Sequence, residues 1–479
     1  MKSLIPYQGF LLHAEICYTV IKTMPKKIRT HDEAYIVTVD MGYGHQRAVY
    51  PLKNIAACPI GCNCGGEHII TANNYAGIPG RDKRRWESVR VLYERISRMK
   101  RIPLIGEWIF GLMDDLQRIP PFYPRRDLSH PTFQVREIYS FIRRGWGKHL
   151  IEMLNKKKDI PLVTSFFTTA FFAEEHRYKG DIYCICTDTD ISRAWVPLEP
   201  KKSRIIYLAP NKRVKERLML YGVRESHIFA TGFPLPKENI GGADLKILKR
   251  SLGRRISNLD PANLYYKKYE HTIRYYLGAP YCGMKAGHPL TITFAVGGAG
   301  AQRDIGVTIL ESLHRHIDRG EVRLNLVAGI KNDVYQYYYA AVRRLHLEKR
   351  HGGTVNIIYA EDKMDYFAKL NSALLTTDIL WTKPSELSFY AGLGLPIIMA
   401  PSIGSQEEFN RAWLHAVGAG FEQEDPRYTH EWLFDWLNSG WLAEAAMKGF
   451  TDAPRMGAYH VEDVVLRGRK SEIEEMHLL

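Results

Sequence analysis

Short apolar runs alternate with segments of helical period along most of this chain. Runs at 34–39, 161–166, 183–187, 205–208 and 228–231 have the length and bounding turns of buried strands. Between the last two, 211–221 has helical spacing and Gly222 supplies a stop. A second series runs from 290, with strands expected at 291–296, 323–328, 355–359, 374–380 and 396–400. Helices are expected between them at 304–316, 334–347, 362–371 and 385–392, then tryptophan-containing helices over 430–448. Such β–α alternation predicts an α/β protein of two facing, doubly wound (Rossmann-like) domains with a cleft between them. The expected divisions are an N-terminal extension (1–33), a first domain (34–236), a basic Tyr-rich connector (237–288), a second domain (289–455) and a polar tail (456–479). The segment 232–236, Gly-Phe-Pro-Leu-Pro, is the expected hinge.

Each series begins near a glycine turn. In the second, the strand-like run stops at Gly297-Gly298-Ala299-Gly300, and a helix with Ile305, Ile309 and Leu313 on one stripe follows. In the first, Asp40-Met41-Gly42-Tyr43-Gly44-His45 leads into a helix opened by Arg47-Ala48-Val49. Strand, glycine turn and helix in that order gather bare N–H groups and a helix N-terminus at one spot, which suits a phosphate. Either turn alone more often serves only to reverse the chain.

Composition adds three features. The chain has 479 residues and a net charge of +14; the segments 81–101 and 246–274 together supply twelve of those charges. The first reads as a helix with Trp86, Val89, Tyr93 and Ile96 on one stripe. It is either a solvated helix on the core or an interfacial helix on anionic lipid, with Trp86 and Tyr93 at headgroup level. The second interleaves tyrosines with basic residues, and a surface insertion is favoured there over a single-stranded nucleic acid site. Cys58, Cys62 and Cys64 with His68 could hold zinc or form a reduced cysteine-rich loop; the spacing is not that of a zinc knuckle, and no metal is assigned. No run approaches the ~20 apolar residues that span a bilayer. The expected location is cytoplasmic, with a peripheral place on the inner face of the membrane as the extension of the lipid reading.

Six motifs in order resemble those of the GT-B glycosyltransferases that glycosylate lipids, such as monogalactosyldiacylglycerol synthase, diglucosyldiacylglycerol synthase and the peptidoglycan N-acetylglucosaminyltransferase. They are 40–48 (DMGYGHQRA), Thr187-Asp188 with Trp195, 207–234 ending in TGFP, the 296–302 loop, Thr382-Lys383-Pro384 with Gly394-Leu395-Pro396, and Gly404-Ser405-Gln406-Glu407 with Asn410. Two positions depart: Ser192 stands where the family has histidine, and its ribose-binding glutamate falls near Tyr390 or Ala391, with Glu386 the nearest replacement. The resemblance implies an acceptor domain followed by a donor domain. It implies inverting transfer from a nucleotide diphosphate sugar, often UDP-linked, to a hydroxyl of a lipid or membrane-associated acceptor, with no obligatory metal. Gly42, Gly44, Gly297, Gly298, Ala299, Gly300, Ala301 and Gln302 would face phosphate. Lys383, Ser385, Glu386, Gln406, Glu407 and Asn410 would surround nucleotide and sugar. His45 is the expected base, with Asp188 and Asp190 as rivals. The alternatives are a binding protein without turnover and a sugar-nucleotide 2-epimerase or hydrolase.

Overall fold

The computed structural model describes residues 30–60, 68–88, 119–295, 300, 302–402 and 404–469. Gly297, Gly298, Ala299, Ala301, Cys62, Cys64, Val89, Tyr93 and Ile96 lie outside them.

Strands β1 (Tyr35–Thr38), β2 (Ile70–Thr71), β3 (Leu162–Thr164), β4 (Ile182–Ile185), β5 (Ile205–Ala209) and β6 (Ile228–Ala230) form one sheet, in the order β2-β1-β3-β4-β5-β6. Strands β7 (Leu290–Ala295), β8 (Val322–Gly329), β9 (Val355–Tyr359), β10 (Ile379–Thr382), β11 (Ile397–Met399) and β12 (Gly420–Glu422) form the other, in the order β12-β11-β10-β7-β8-β9. Every pairing is parallel, with Val37 opposite Thr164 in the first sheet and Ile292 between Leu324 and Ile379 in the second. Parallel strands covered by helices on both faces bury both sides. That is why they appear as continuous apolar runs, with β1, β3, β4 and β7 buried along their whole length. The fold is thus the expected pair of doubly wound α/β units, and the strand order reverses beside β1 and β3 in one unit and beside β7 and β10 in the other.

Several expectations are corrected. No strand begins at 374: the helix Lys363–Leu374, capped by the Asp362 carboxylate on the N–H groups of Met364 and Asp365, occupies that stretch. The short strands β2 and β12 carry too few residues for a periodic signal. The basic segment 246–274 is two helices, Lys246–Leu259 and Leu264–Leu277, rather than a surface insertion. Leu248, Leu252, Ile256 and Leu259 recur at helical spacing and enter the main core. Arg255 is buried under the second sheet, donating to the carbonyls of Thr377, Leu393 and Gly394 at 2.8–2.9 Å. Trp86 is 3% exposed and packs on Trp146, Phe166 and Phe172, so it does not reach a lipid headgroup.

The segment 232–236 is packed rather than loose. Phe233 stacks on Phe389 at 4.7 Å and Leu235 is buried. The chain then returns through the helix Gly457–Arg467, within the stretch read as a tail. Its His460 Nδ1 meets the Thr231 carbonyl at 2.9 Å, Glu462 pairs with Lys237, and the Leu466 carbonyl accepts from the His31 N–H at 2.7 Å. One apolar core runs from Tyr43, Val49 and Leu52 of the first unit into β7–β11 of the second, and another, around Tyr35, Leu162 and Tyr207, fills the first unit. No described helix is long and apolar enough to cross a membrane.

Candidate active-site cleft

The first wall of the cleft is built where β1 and β3 diverge. After β1 the chain turns through Gly42, whose φ of 95° is open to glycine and strained for other residues. It then enters the helix Tyr43–Val49. That helix points His45 at the end of β3, where Nδ1 lies 2.8 Å from the Ser165 carbonyl and 3.5 Å from Thr187 Oγ1. A carbonyl accepts only, so Nδ1 carries the proton and Nε2 keeps its lone pair. Burial lowers the His45 pKa to about 4 against the opposing pull of the Ser165 carbonyl and Glu386, although the residue as a whole is half-buried. Phe166 packs edge-on against the ring at 4.9 Å. The imidazole is therefore neutral at physiological pH, fixed in one tautomer, and able to accept a proton.

Two aspartates follow β4, and their surroundings separate them. Asp188 faces the cleft: burial, with Glu386 and Glu407 nearby, raises its pKa to about 6 against the Asn410 amide and Lys383. Asp190 points the other way. It accepts from Arg217 Nε and Nη2 at 2.8 Å each and from Arg213 Nε at 3.1 Å. With two guanidinium groups on it, Asp190 has no free lone pair aimed at the cleft, and it ceases to be a rival base.

The second wall is built where β7 and β10 part, the place at which open parallel sheets bind ligands. Gly300 and Gln302 have φ near 67°, and the helix Arg303–Ser312 starts immediately after. Gln302 is not directed at a ligand by its amide nitrogen, which donates to the Pro401 carbonyl at 2.7 Å. After β10, Lys383 pairs with Glu407, and Glu407 Oε2 accepts the Gly404 N–H at 3.4 Å at the start of the helix Ser405–Val417. Gln406, half-buried, lies in that first turn. Ser385 N–H donates to the Lys383 carbonyl at 2.8 Å, closing the turn before the 3-10 helix Glu386–Leu393. Asn410 is committed to protein: its Oδ1 accepts the Thr189 N–H at 3.0 Å and Thr189 Oγ1 at 2.8 Å, and its Nδ2 donates to the Pro384 carbonyl at 3.3 Å. It fastens one wall to the other.

Glu386 is where the walls meet. Its Oε1 is ion-paired with Arg47 Nη1, and its Oε2 lies 3.0 Å from where a Cβ on Gly44 would stand. Gly44 thus lacks a side chain because the opposite domain's carboxylate approaches there. Burial alone would push Glu386 up, but Arg47 and Lys383 outweigh it and hold the carboxyl below its usual range. Arg47 also donates to Tyr366 Oη and lies within 5.3–5.7 Å of the Tyr43, Tyr366 and Phe367 rings. Tyr43 Oη accepts the Ile330 N–H at 3.2 Å, and Lys363 pairs with Asp40 at 2.6 Å.

The structure brings His45, Asp188, Lys383, Glu386 and Glu407 together, and adds Arg47, Tyr43, Tyr366 and Thr189, which the sequence does not assign to the site. Tyr43 and Arg47 stand four apart, on one helical face. That much was readable; their partners, some 300 residues along the chain, were not.

No protein-family model and no curated protein matches the chain. Among solved structures, it is similar to a UDP-GlcNAc 2-epimerase from Neisseria meningitidis bound to UDP-GlcNAc, at 11% identity over 91% of this chain and 99% of that one, with TM-score 0.45. It is similar to the glycosyltransferase SnogD from Streptomyces nogalater, at 12% identity over 91% and 99%, with TM-score 0.42. It is also similar to MurG from Acinetobacter baumannii, at 15% identity over 69% and 78%, with TM-score 0.37. At such values the likeness assigns no activity to this chain.

Proposed function

We propose that the protein is a glycosyltransferase that moves a sugar from a nucleotide diphosphate sugar, UDP-linked in the first instance, to a hydroxyl of a lipid or membrane-associated acceptor. The observation that carries this reading is the neutral His45 imidazole, locked by the Ser165 carbonyl across the cleft from Lys383, Glu386 and Glu407. In this reading the first unit takes the acceptor and the second the donor. His45 Nε2 accepts the hydroxyl proton as the acceptor oxygen attacks the anomeric carbon, and the bond from that carbon to the diphosphate oxygen breaks. Attack from the face opposite the leaving group inverts the configuration. Glu386, whose charge favours protonated His45, steadies the imidazolium as it forms. The departing diphosphate gains negative charge, and preorganised N–H groups at the start of the helix Arg303–Ser312, with Lys383, would meet it. The six sequence motifs support the donor class, and the net charge of +14 supports an anionic membrane as the place of work.

A second reading, a nucleotide-sugar binder without turnover, is favoured by the engagement of Glu386 by Arg47 and of Asn410 by Thr189. One experiment separates the two. Thermal shift is measured with UDP, GDP and their hexose conjugates, and nucleotide release is then followed with and without total lipid extract. A shift plus lipid-dependent release is the expected result. A shift without release supports the binder, release without lipid marks a hydrolase, and no shift from any nucleotide contradicts both readings.

A further inference from the structure

Arg47 belongs to the first unit, yet all the side chains it holds belong to the second. Its guanidinium is 5% exposed, enclosed by Tyr43, Tyr366 and Phe367, and joined to Glu386 and Tyr366. Its Nε, buried, has no hydrogen-bond partner. Burying a guanidinium between two domains is costly, and an apolar pair of similar volume would hold them at least as well. The arrangement is better explained by what it does to the carboxylate. Arg47 takes Oε1 of Glu386 and leaves Oε2 beside the bare backbone of Gly44.

We propose that Arg47 is a positioning residue for the donor: it reaches across the cleft and pins Glu386 beside the Gly44 turn, so that the second carboxylate oxygen accepts hydroxyl groups of the nucleotide sugar. This rests on the donor-binding reading above. The groups facing Glu386 are Arg47 and His45 from the helix Tyr43–Val49, Asp188 after β4, Tyr366 from the helix Lys363–Leu374, Lys383 after β10, and Tyr390 on its own 3-10 helix. Asp188 disfavours a charge on Glu386, and Arg47 and Lys383 favour it. Without Arg47, burial and the neighbouring Asp188 carboxyl are opposed by Lys383 alone, and the pKa of Glu386 rises. A protonated Glu386 offers a weaker acceptor to the donor's hydroxyls.

The test uses the full chain as wild type, R47M, R47K and the double variant R47M/E386Q. The first arm needs no ligand and follows thermal stability against pH. Arg47 favours the ionised Glu386 in the wild-type fold, so R47M falls further below wild type as pH rises from about 4 to 8, because its native state keeps a proton on Glu386 that the unfolded chain releases. R47M/E386Q loses this difference, since position 386 no longer titrates, and the R47K curve lies near that of wild type. The second arm measures UDP and UDP-hexose binding by calorimetry. As pH falls, the UDP-hexose Kd of R47M weakens relative to that of wild type by about tenfold per pH unit at most; the double variant binds weakly at every pH. Parallel stability curves for wild type and R47M overturn the role of Arg47 whatever the nucleotides do. Divergent curves with no binding by wild type leave the ion pair standing and overturn the donor reading together with the use of Glu386 in it. Flat, undiminished UDP-hexose binding by R47M overturns the proposal while leaving the donor reading intact.

Discussion

Two carboxyl groups, one after β4 of the first unit and one before β10 of the second, have their pKa values raised for the same first reason, burial, and they teach different things. Asp188 at the cleft is raised to about 6, and Asp378 beneath β10 to about 7. Asp378 is 1% exposed; its Oδ2 accepts Asn258 Nδ2 and the Thr291 N–H at 2.8 Å each, with His288 at 3.7 Å. Every group around it ties one backbone segment to another. Asp188 retains access to the cleft and shares it with Glu386, Glu407 and Lys383, which come from the other domain. A perturbed carboxyl marks a site when it has an open side and partners that a ligand could replace. By that standard Asp378 is a structural knot beneath the sheet, and Asp188 is available for chemistry.

The comparison can be broken at several points. The largest effect is expected at His45: H45A lowers kcat by roughly 10²–10⁴-fold while the melting temperature changes little, as measured by steady-state transfer and calorimetry. Loss of folding with retained activity per folded molecule would make His45 a packing residue. Next is R217M, which leaves Asp190 buried without its bidentate partner. Denaturant unfolding should show a loss of about 3–5 kcal/mol, and kcat of the folded fraction should persist. A collapse of kcat would return Asp190 to the list of bases.

D378N tests the lower carboxyl through pH. In the unfolded chain this group ionises near pH 4 and in the folded protein at about 7, so between them the native state holds the extra proton. Wild-type stability therefore falls as pH rises through that window, by at most about 1.4 kcal/mol per unit. D378N should flatten that slope without altering turnover. The smallest and most diagnostic effect concerns D188N. If Asp188 must be ionised and His45 neutral, wild-type kcat/KM rises with pH through about 6. In D188N the limb should move down towards His45, at about 4. An unmoved limb would exclude Asp188 from the titration.

Much of the fold was legible because parallel strands buried on both faces are continuous apolar runs, and helices such as Lys363–Leu374 carry a capping aspartate. What escaped had physical reasons. Strands β2 and β12 are two and three residues long, below any periodic signal. The helix Lys246–Leu259 announced itself by its charge, which hid the leucine stripe that enters the core. Trp86 was ambiguous because the same amphipathic spacing fits a core and a bilayer, and its contact with Trp146 is tertiary. In the site, the Gly42–Gly44 turn and the Lys383–Glu407 pair lie in segments readable from local order. The engagement of Glu386 did not, since its partner Arg47 lies 339 positions away and looked like an ordinary helix residue.

Hydrogen exchange of the full chain with and without a saturating UDP-hexose tests the cleft most directly, because it sees both walls of the cleft and the region around Asp378 at once. Protection is expected at 40–49, 187–189 and 383–410, with no change at 255–260, 288–291 and 376–379. Protection confined to the lower set, or the same exchange everywhere with and without the nucleotide sugar, would contradict the account.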